Sequence, residues 1–458
     1  MNKLGVKKFN VFIIIGLGIV TIIFITNYLT NIKTDVSSSL TTSNSNSAKT
    51  LSKIGIDVGL KNDGSKETSI VKTPSEVEAD ANAEEIADID NSKSTKPKPQ
   101  TSPKIEDNSI TTSNKIFIKE EYIDELYKYT KTTYKQPSSS QKDSKLPTIL
   151  ILSTIAKDDP YGNGRQFKDY INSINTLVNT EPTNKFKFSL GLSINSPQNF
   201  LNLQKFIEEN DSALFEKFEK ISLVSSEEME KLHEVKFSND QELNDEDLEI
   251  NRFNRQQDNK QRIRRRIIAK NRNFLISNTL ENEQYIIFID SDVEKFDHSS
   301  KFIDILIKTG KDIIVPRIYR GESMNDYDRN SWRGERTKPT EEQLKIMDLN
   351  LWSKFDYVPR DKENIWHFYM FDSNSQDDEK LKAVDYSVPL DSVGGAFLFF
   401  KSIIYKQGVI FPTNYIIGTN WERLEGYDGI ETEGICYLAR PLGYTCWGLP
   451  NLNAYHVP

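Results

Sequence analysis

The feature that most constrains the fold is an apolar run at residues 285–289, which ends abruptly in Asp290, Ser291 and Asp292. A run of this kind predicts a buried strand in a sheet covered on both faces. Side chains two positions apart on an extended segment point the same way, so Asp290 and Asp292 can face one cation. This arrangement is typical of sites that bind a nucleoside diphosphate through a divalent metal. The alternative is a strand-end turn capped by its own acids.

Alternating strand and helix patterns surround this run and predict an α/β fold with a mostly parallel sheet covered on both faces. In such sheets ligands bind outside the carboxyl ends of the strands, where Asp290 and Asp292 would lie. The predicted strands are 148–155, 186–194, 221–224, 285–289 and 312–316. The predicted helices are 167–178, 198–218, 251–280 and 301–309. The last helix is expected to be capped by Asp297 or Ser299 and ended by Gly310.

The beginning of the chain predicts a membrane anchor. Residues 9–29 are almost wholly apolar and have the length of a membrane-spanning helix. Lysines but no acidic residue occur within residues 1–8, so this tail is expected to be cytosolic and the rest of the chain lumenal or extracellular. A cleaved signal peptide is the alternative, but its apolar stretch is usually shorter and ends in small residues.

A stem is predicted at residues 30–146, ahead of a head at 147–458. Up to residue 114 the stem is rich in Ser, Thr, Lys, Asp and Asn, and it has too few apolar side chains to form a core. Residues 116–134 have an amphipathic pattern that predicts a helix. Asn210, in the sequence Asn-Asp-Ser, is a possible glycosylation acceptor whose use the sequence leaves open.

Charge and cysteine content exclude several classes of protein. The net charge of -8 and the pI of about 5.4 give no basic footprint for a nucleic-acid partner. The two cysteines, Cys436 and Cys446, are too few for a disulfide framework or a cysteine zinc site. Two free buried thiols are favoured over a single bridge.

A basic segment, residues 262–274, precedes the acid pair. On a helix Arg265, Ala269 and Arg272 share one side. One interpretation is a solvated face that pairs with the acidic residues 242–249. The other is that one or two arginines grip a nucleotide phosphate with their planar fork.

Two later segments carry further candidates. Gly394 and Gly395 would let the backbone approach a ligand closely, or they form a bulge or tight turn with Asp391 as a turn residue. Glu431 and Glu433 are expected to cap the start of a helix.

The head resembles the fungal α-1,6-mannosyltransferases of the mannan polymerase complexes, glycosyltransferase family 62. The resemblance lies in an ordered set of motifs: YGNGR at 161–165, RRR-IIAK-NRNFL at 264–275, IDSDVE at 289–294, KDIIVP at 311–316, YDRNSW at 327–332, LDSVGGAFL at 390–398, ETEG at 431–434 and GYTCWGLPN with a final YH at 443–456. YGNGR and DSD look most like the vanadate-resistance-type subunit of the first polymerase complex. Ser392 stands where the family usually has glycine.

The resemblance implies a GT-A fold and retaining transfer of mannose from GDP-mannose with Mn²⁺. Asp290 and Asp292 match the family's metal-binding acids, and His456 matches its C-terminal metal-ligating histidine. Arg264 and Arg265 match its paired arginines near the nucleotide. Asp391 matches an acid on the acceptor side, so the expected catalytic acids are Asp290, Asp292 and Asp391.

The resemblance also implies a type II protein of the cis-Golgi membrane with a lumenal head, acting with paralogous subunits on the N-glycan outer chain, the mannan of the cell wall. Whether it initiates or extends that chain is left open. One alternative is a non-catalytic subunit that binds nucleotide or glycan. Another is a phosphatase with Asp290 as nucleophile and Asp292 as general acid.

Overall fold

The computed structural model describes residues 117–458 apart from these gaps: 127, 138–144, 158, 180–184, 227–228, 230–257, 324, 350, 352–353, 355–356, 373–377, 415, 418–425 and 428. Among the described residues no helix has the length and apolar character needed to cross a membrane. The predicted anchor at 9–29 and the stem up to residue 116 lie outside the described residues.

Strands and helices alternate through the first half of the described chain. The strands are β1 (Ile118–Asp124), β2 (Tyr129–Lys135), β3 (Thr148–Ile155), β4 (Lys187–Ile194), β5 (Phe218–Ser226), β6 (Tyr285–Ile289), β7 (Val293–Phe296), β8 (Ile313–Arg320), β9 (Asn325–Asp326), β10 (Trp332–Arg333), β11 (Trp366–His367), β12 (Val388–Leu390), β13 (Phe397–Lys401), β14 (Ile416–Ile417), β15 (Gly426–Tyr427) and β16 (Cys446–His456). The α-helices are α1 (Phe167–Val178), α2 (Pro197–Leu214), α3 (Asp258–Thr279), α4 (Ser299–Lys308), α5 (Glu341–Asp348), α6 (Ser402–Lys406) and α7 (Thr432–Ala439). Every helix and strand predicted for the head has a counterpart in the structure; α3 begins at Asp258 among the described residues, and the first part of the predicted helix, 251–257, lies outside them.

Most strands of the described chain join one central sheet. Its order is β1-β2-β5-β4-β3-β6-β13-β8-β16-β12, with β7 paired to β16 and β9 to β8. The block β5-β4-β3-β6 is parallel, and β8 is parallel to β16. β13 runs antiparallel between β6 and β8, and β1, β2 and β12 also pair antiparallel. The α/β class is therefore confirmed, but the sheet is mixed rather than mostly parallel.

Helices cover both faces of this sheet, as predicted. On one face, buried side chains of α1, α2 and α4 pack with those of β3 and β4 in one apolar cluster. On the other face, α3, α6 and α7 contribute to a second cluster with alternate residues of β3, β6 and β13. Successive strand residues point to opposite faces, so strands buried on both sides must be apolar throughout.

The start of α4 differs from the prediction. His298 is its N-cap residue, with φ 53° and no hydrogen bond from its side chain to the helix. The Asp297 carboxylate instead accepts hydrogen bonds from Asn453 and Tyr455 of β16. Gly310, with φ +68°, follows the helix end as expected.

The helix predicted at 116–134 is wrong, because this segment forms the hairpin β1–β2. Its turn has Lys128 at φ 51°, and β2 pairs antiparallel with β5 along its whole length. Thr132, Thr133 and Tyr134 are buried, and β-branched and aromatic side chains of this kind suit a sheet surface. The free edge of β5 offers backbone hydrogen bonds that local helical periodicity cannot reveal. These residues therefore belong to the sheet of the head.

The prediction of two free thiols is also wrong. Cys436 in α7 and Cys446 at the start of β16 form a disulfide with Cα atoms 6.0 Å apart. Each cysteine is 4% exposed. The bridge ties α7 to the strand whose far end carries His456.

Breaking this bridge should destabilise the head. For the Cys436→Ala/Cys446→Ala variant of the full chain, we expect the free energy of unfolding to fall by about 3 kcal/mol, because closing a short loop removes entropy from the unfolded state. Chemical denaturation followed by circular dichroism measures this change. The control is the native chain under a reductant, which should lose the same amount. Equal stability of the oxidised and reduced native chains would contradict the expectation.

Candidate functional site

The acid pair lies at the carboxyl end of β6, in the turn that leads into β7. The Asp290 N–H donates to the Ala396 carbonyl at 2.9 Å, which fixes the turn against the start of β13. The Ser291 hydroxyl points inward and donates to the Pro160 carbonyl. In contrast, 42% of the Asp290 side chain and 33% of the Asp292 side chain are exposed. Both acids therefore remain accessible at the sheet edge.

His456 reaches the acid pair from the end of β16. Its Nε2 lies 2.7 Å from Asp292 Oδ2, and its Nδ1 donates to the Val457 carbonyl at 2.6 Å. The Tyr327 ring stacks on the imidazole, with the ring centroids 3.6 Å apart. His456 is buried, so its imidazole is held in place by these contacts.

The contact between His456 and Asp292 has the chemical character of a cation site. Asp292 Oδ1 and His456 Nε2 are buried and have no hydrogen-bond partner, because the 2.7 Å contact is not aligned as a hydrogen bond. Burial lowers the pKa of His456, but the Asp292 carboxylate outweighs burial and the net pKa is raised. A carboxylate and an imidazole nitrogen are donors that Mn²⁺ accepts. The pair therefore fits either a bound divalent cation or an imidazolium.

Asp290, the third predicted metal ligand, faces Arg272 on α3. Arg272 Nη2 lies 3.3 Å from Asp290 Oδ1, 3.4 Å from Glu431 Oε1 and 2.9 Å from the Gly395 carbonyl oxygen. Partial desolvation by the surrounding protein, together with the charges of Asp292 and Glu431, raises the pKa of Asp290, and Arg272 opposes this shift. Within the described part of the chain, no three acidic, histidine or cysteine side chains are placed so that they could hold a metal ion. Two of the three predicted ligands are thus in contact, and Asp290 is held by an arginine.

The paired glycines make room for protein side chains. A Cβ on Gly394 would overlap the Asp328 carboxylate, and a Cβ on Gly395 would lie 2.7 Å from Arg272 Nη2. Asp328 Oδ2 accepts hydrogen bonds from the N–H groups of Gly395 and Ala396, at 2.7 and 3.2 Å. The close approach that the sequence suggested is therefore to Asp328 and Arg272, which fix the loop beside Asp290.

The two predicted nucleotide arginines differ in their surroundings. Arg264 is partly buried and close enough to Tyr327 to oppose the rise in the pKa of that tyrosine, which burial and the nearby Asp292 cause. Arg264 therefore lies on the side of the candidate site. Arg265 is buried and donates to Glu433 Oε2 at 2.7 Å, so it contributes to an internal ion pair.

Asp391 lies at the other end of the glycine loop from Asp290. Its Oδ2 accepts a hydrogen bond from the Gly334 N–H at 2.9 Å, and its Oδ1 pairs with Arg440 at 2.5 Å. Through these contacts Asp391, which directly follows β12, connects this strand to Gly334 and Arg440. A role on the acceptor side remains a prediction.

Arg272 and Glu431 are site residues that the sequence prediction missed. The signal for Arg272 was its position on the same helix side as Arg265 and Ala269, a side that is buried. Glu431 had no local signal beyond its place before α7, and its side chain does not cap that helix.

Removal of the Glu433 charge should destabilise the fold. Glu433 is 1% exposed and pairs with Arg265 at 2.7 Å and Arg336 at 2.5 Å. Because Glu433→Gln leaves the buried Arg265 and the partly buried Arg336 under-compensated, we expect it to lower the free energy of unfolding of the full chain by about 3 kcal/mol. Urea denaturation measures this.

The matched control is Glu335→Gln. Glu335 pairs with Lys362 at 2.7 Å on the exposed surface. Solvent screening makes such pairs weak, so its urea midpoint should equal that of the native chain. Equal midpoints for the Glu433 and Glu335 variants would contradict the importance of the buried pair.

Comparison with known proteins identifies the family. The Anp1 family model matches residues 127–415, which is more than half of the chain. The chain belongs to the Anp1 family. Its relatives include the mannan polymerase complex subunit mnn9 of Schizosaccharomyces pombe, 27% identical over 43% of this chain and 53% of the relative. They also include the mannan polymerase I complex VAN1 subunit of Saccharomyces cerevisiae, 26% identical over 43% of this chain and 34% of the relative.

These relatives are subunits of mannan polymerase complexes, which supports the predicted family. The matched segments span from about a third to about half of their length. Among solved structures, a crystal structure of GalNAc-T7 with UDP, GalNAc and Mn²⁺ matches 68% of this chain and 43% of that chain at 11% identity, with a TM-score of 0.32.

Proposed function

We propose that the chain is a glycosyltransferase subunit of a mannan polymerase complex, with a GT-A head that transfers mannose from GDP-mannose in α-1,6 linkage, with retention, to the N-glycan outer chain. Family membership supports the broad class. The observation that carries the enzymatic proposal is the buried contact between Asp292 and His456, in which a carboxylate oxygen and an imidazole nitrogen lack hydrogen-bond partners.

Asp292 and His456, with Asp290 beside them, would hold a divalent cation; the family resemblance favours Mn²⁺, and carboxylate ligands suit that ion. Such an ion, when bound, supplies positive charge that stabilises a departing diphosphate. The chain itself prepares this place. The proton on His456 Nδ1 is held by the Val457 carbonyl, which directs Nε2 toward Asp292. Tyr327 stacks on the ring and fixes its plane.

Arg264 would contribute to binding of the anionic donor. Its permanent positive charge acts on Tyr327, which stacks on His456, so Arg264 is a cation in the neighbourhood of the site. The side chain of Arg265 is already neutralised by Glu433, so it supports α3 and the nucleotide interaction falls to Arg264.

The second candidate function is that of a non-catalytic subunit that binds nucleotide or glycan. The contact between Arg272 and Asp290 favours it, because an acid already paired with an arginine is a weaker cation ligand. The phosphatase alternative receives no support, since an Asp290 bound to Arg272 and flanked by a raised-pKa histidine is poorly suited to act as a nucleophile.

Loss of Asp292 should abolish transfer. We expect Asp292→Asn to lower mannose transfer from GDP-mannose to a short α-mannoside by about 100-fold or more, because a neutral amide is a weaker cation ligand than a carboxylate and the cation would supply the charge that stabilises the departing diphosphate. The assay uses the full chain with Mn²⁺, alone and with a paralogous subunit. Glu322→Gln, an exposed acid on the surface beyond β8, is the control and should keep native activity. Full activity of the assembled complex with Asp292→Asn would favour the non-catalytic alternative.

We also propose that residues 9–29 anchor the protein in the cis-Golgi membrane with the head in the lumen. The apolar run and the preceding lysines support this orientation. In sealed Golgi vesicles the head should resist added protease until detergent is present, whereas an epitope at the N-terminus should be cleaved at once. Cleavage of the head in intact vesicles would contradict the proposed orientation.

A further inference from the structure

A row of buried charges of alternating sign connects the acid pair to the interior. Asp290 contacts Arg272 at 3.3 Å, Arg272 contacts Glu431 at 3.4 Å, and Glu431 lies 3.9 Å from Arg265. Arg265 in turn contacts Glu433 at 2.7 Å. Only the first member of this row is substantially exposed, since the side chains of Arg272 and Glu431 are 5% and 9% exposed. The charge of the Asp290 carboxylate at the surface is therefore coupled, through Arg272, to the charge of the buried Glu431 carboxylate.

One nitrogen atom of Arg272 serves both carboxylates. Nη2 approaches Asp290 Oδ1 and Glu431 Oε1 at nearly equal distances and also donates to the Gly395 carbonyl. The guanidinium packs against the rings of Phe288 and Phe411, whose centroids lie 5.0 and 5.5 Å from its central carbon. It cannot leave this position without losing these contacts. Its charge is thus divided between Asp290 and Glu431.

The backbone holds Glu431 in this place at a cost. Its φ is 65° with ψ -136°, a conformation that costs a residue with a side chain about 1–3 kcal/mol. The Glu431 N–H donates to the Pro412 carbonyl at 2.8 Å, and Arg265 donates to the carbonyl of the preceding Ile430 at 2.5 Å. Such strain is concentrated at functional sites, because the surrounding contacts must impose it.

We propose that Glu431 is a positioning residue that draws the charge of Arg272 away from Asp290 and so leaves Asp290 available to a divalent cation. Without Glu431, the full charge of Arg272 would fall on Asp290 and compete with a cation for its oxygen atoms. This inference depends on the proposed cation site at Asp290, Asp292 and His456. It assigns to Glu431 an electrostatic role that is separate from helix capping and from the stability of the fold.

The test is a double-mutant cycle on the binding of Mn²⁺ alone to the full chain, measured by isothermal titration calorimetry. Asp292→Asn defines the binding that belongs to this site. Without Glu431 the undivided charge of Arg272 competes with Mn²⁺ for the Asp290 oxygen atoms, so Glu431→Gln should raise the Kd for Mn²⁺ about tenfold or more. Arg272→Met should bind Mn²⁺ at least as tightly as the native chain. In the Arg272→Met background, Glu431→Gln should change the Kd by less than about twofold, since the competing charge is gone.

Glu433→Gln is the matched control. This substitution removes a buried carboxylate of the same row. Glu433 contacts Arg265, as Glu431 does, but it does not contact Arg272. Its Kd for Mn²⁺ should stay within about twofold of the native value at a temperature where circular dichroism shows a folded chain. If Glu431→Gln does not fold, the Kd of Arg272→Met for Mn²⁺ tests the inference instead. Weaker Mn²⁺ binding by Arg272→Met than by the native chain overturns it.

The possible failures are distinguishable. If Glu431→Gln leaves the Kd for Mn²⁺ unchanged, or raises it equally in the native and the Arg272→Met backgrounds, the role of Glu431 is overturned. The proposed function then still stands. If the native chain and Asp292→Asn bind Mn²⁺ equally, there is no cation site at Asp292. That result would overturn the proposed site and, with it, this inference.

Discussion

Pairing of buried charges is the interaction on which the candidate site depends. Burying an isolated ion costs several kcal/mol, so each charge beneath the sheet edge must meet an opposite one. Arg272, Glu431, Arg265 and Glu433 satisfy this condition in sequence, through contacts of 3.4, 3.9 and 2.7 Å. Because α3 supplies the arginines and the start of α7 supplies the acids, these pairings lock the two helices together behind Asp290. The geometry of the surface acid is therefore set from inside the protein.

The directions of the strands explain why distant segments meet at this edge. β13 runs antiparallel to β6, so the glycine loop that leads into β13 ends beside the carboxyl end of β6, with Phe397 opposite Ile289. β8 returns to the direction of β6, and β16 is parallel to β8, so His456 at the end of β16 arrives at the same edge. Pairing of β16 with β7 then aligns His456 with Val293, directly after the acid pair. A fully parallel sheet would have placed the glycine loop at the opposite edge.

The site could be read only partly from the sequence. The acids at 290 and 292 were evident, because an apolar strand that ends in two carboxylates is a local pattern. The match of His456 to a metal ligand came from the resemblance; the structure places His456 in contact with Asp292, and its role as a ligand stays a prediction. Arg272 and Glu431 could not be assigned, because they are 159 positions apart in the sequence and only the fold brings them into contact. Arg265 was assigned to the nucleotide, although in the structure its guanidinium forms an ion pair with the buried Glu433.

Local periodicity determined which segments of the head become strands and helices, and the order of motifs determined the family, because both are written in neighbouring residues. The tertiary structure decided what depends on distant partners. The hairpin at 118–135 is extended because β5 offers it an edge, against its helix-like pattern. Cys436 and Cys446 are bonded because α7 ends beside the start of β16. Asp290 faces Arg272 because α3 crosses beneath the strand ends. In each case the deciding free energy belongs to a contact between segments, which no single segment encodes.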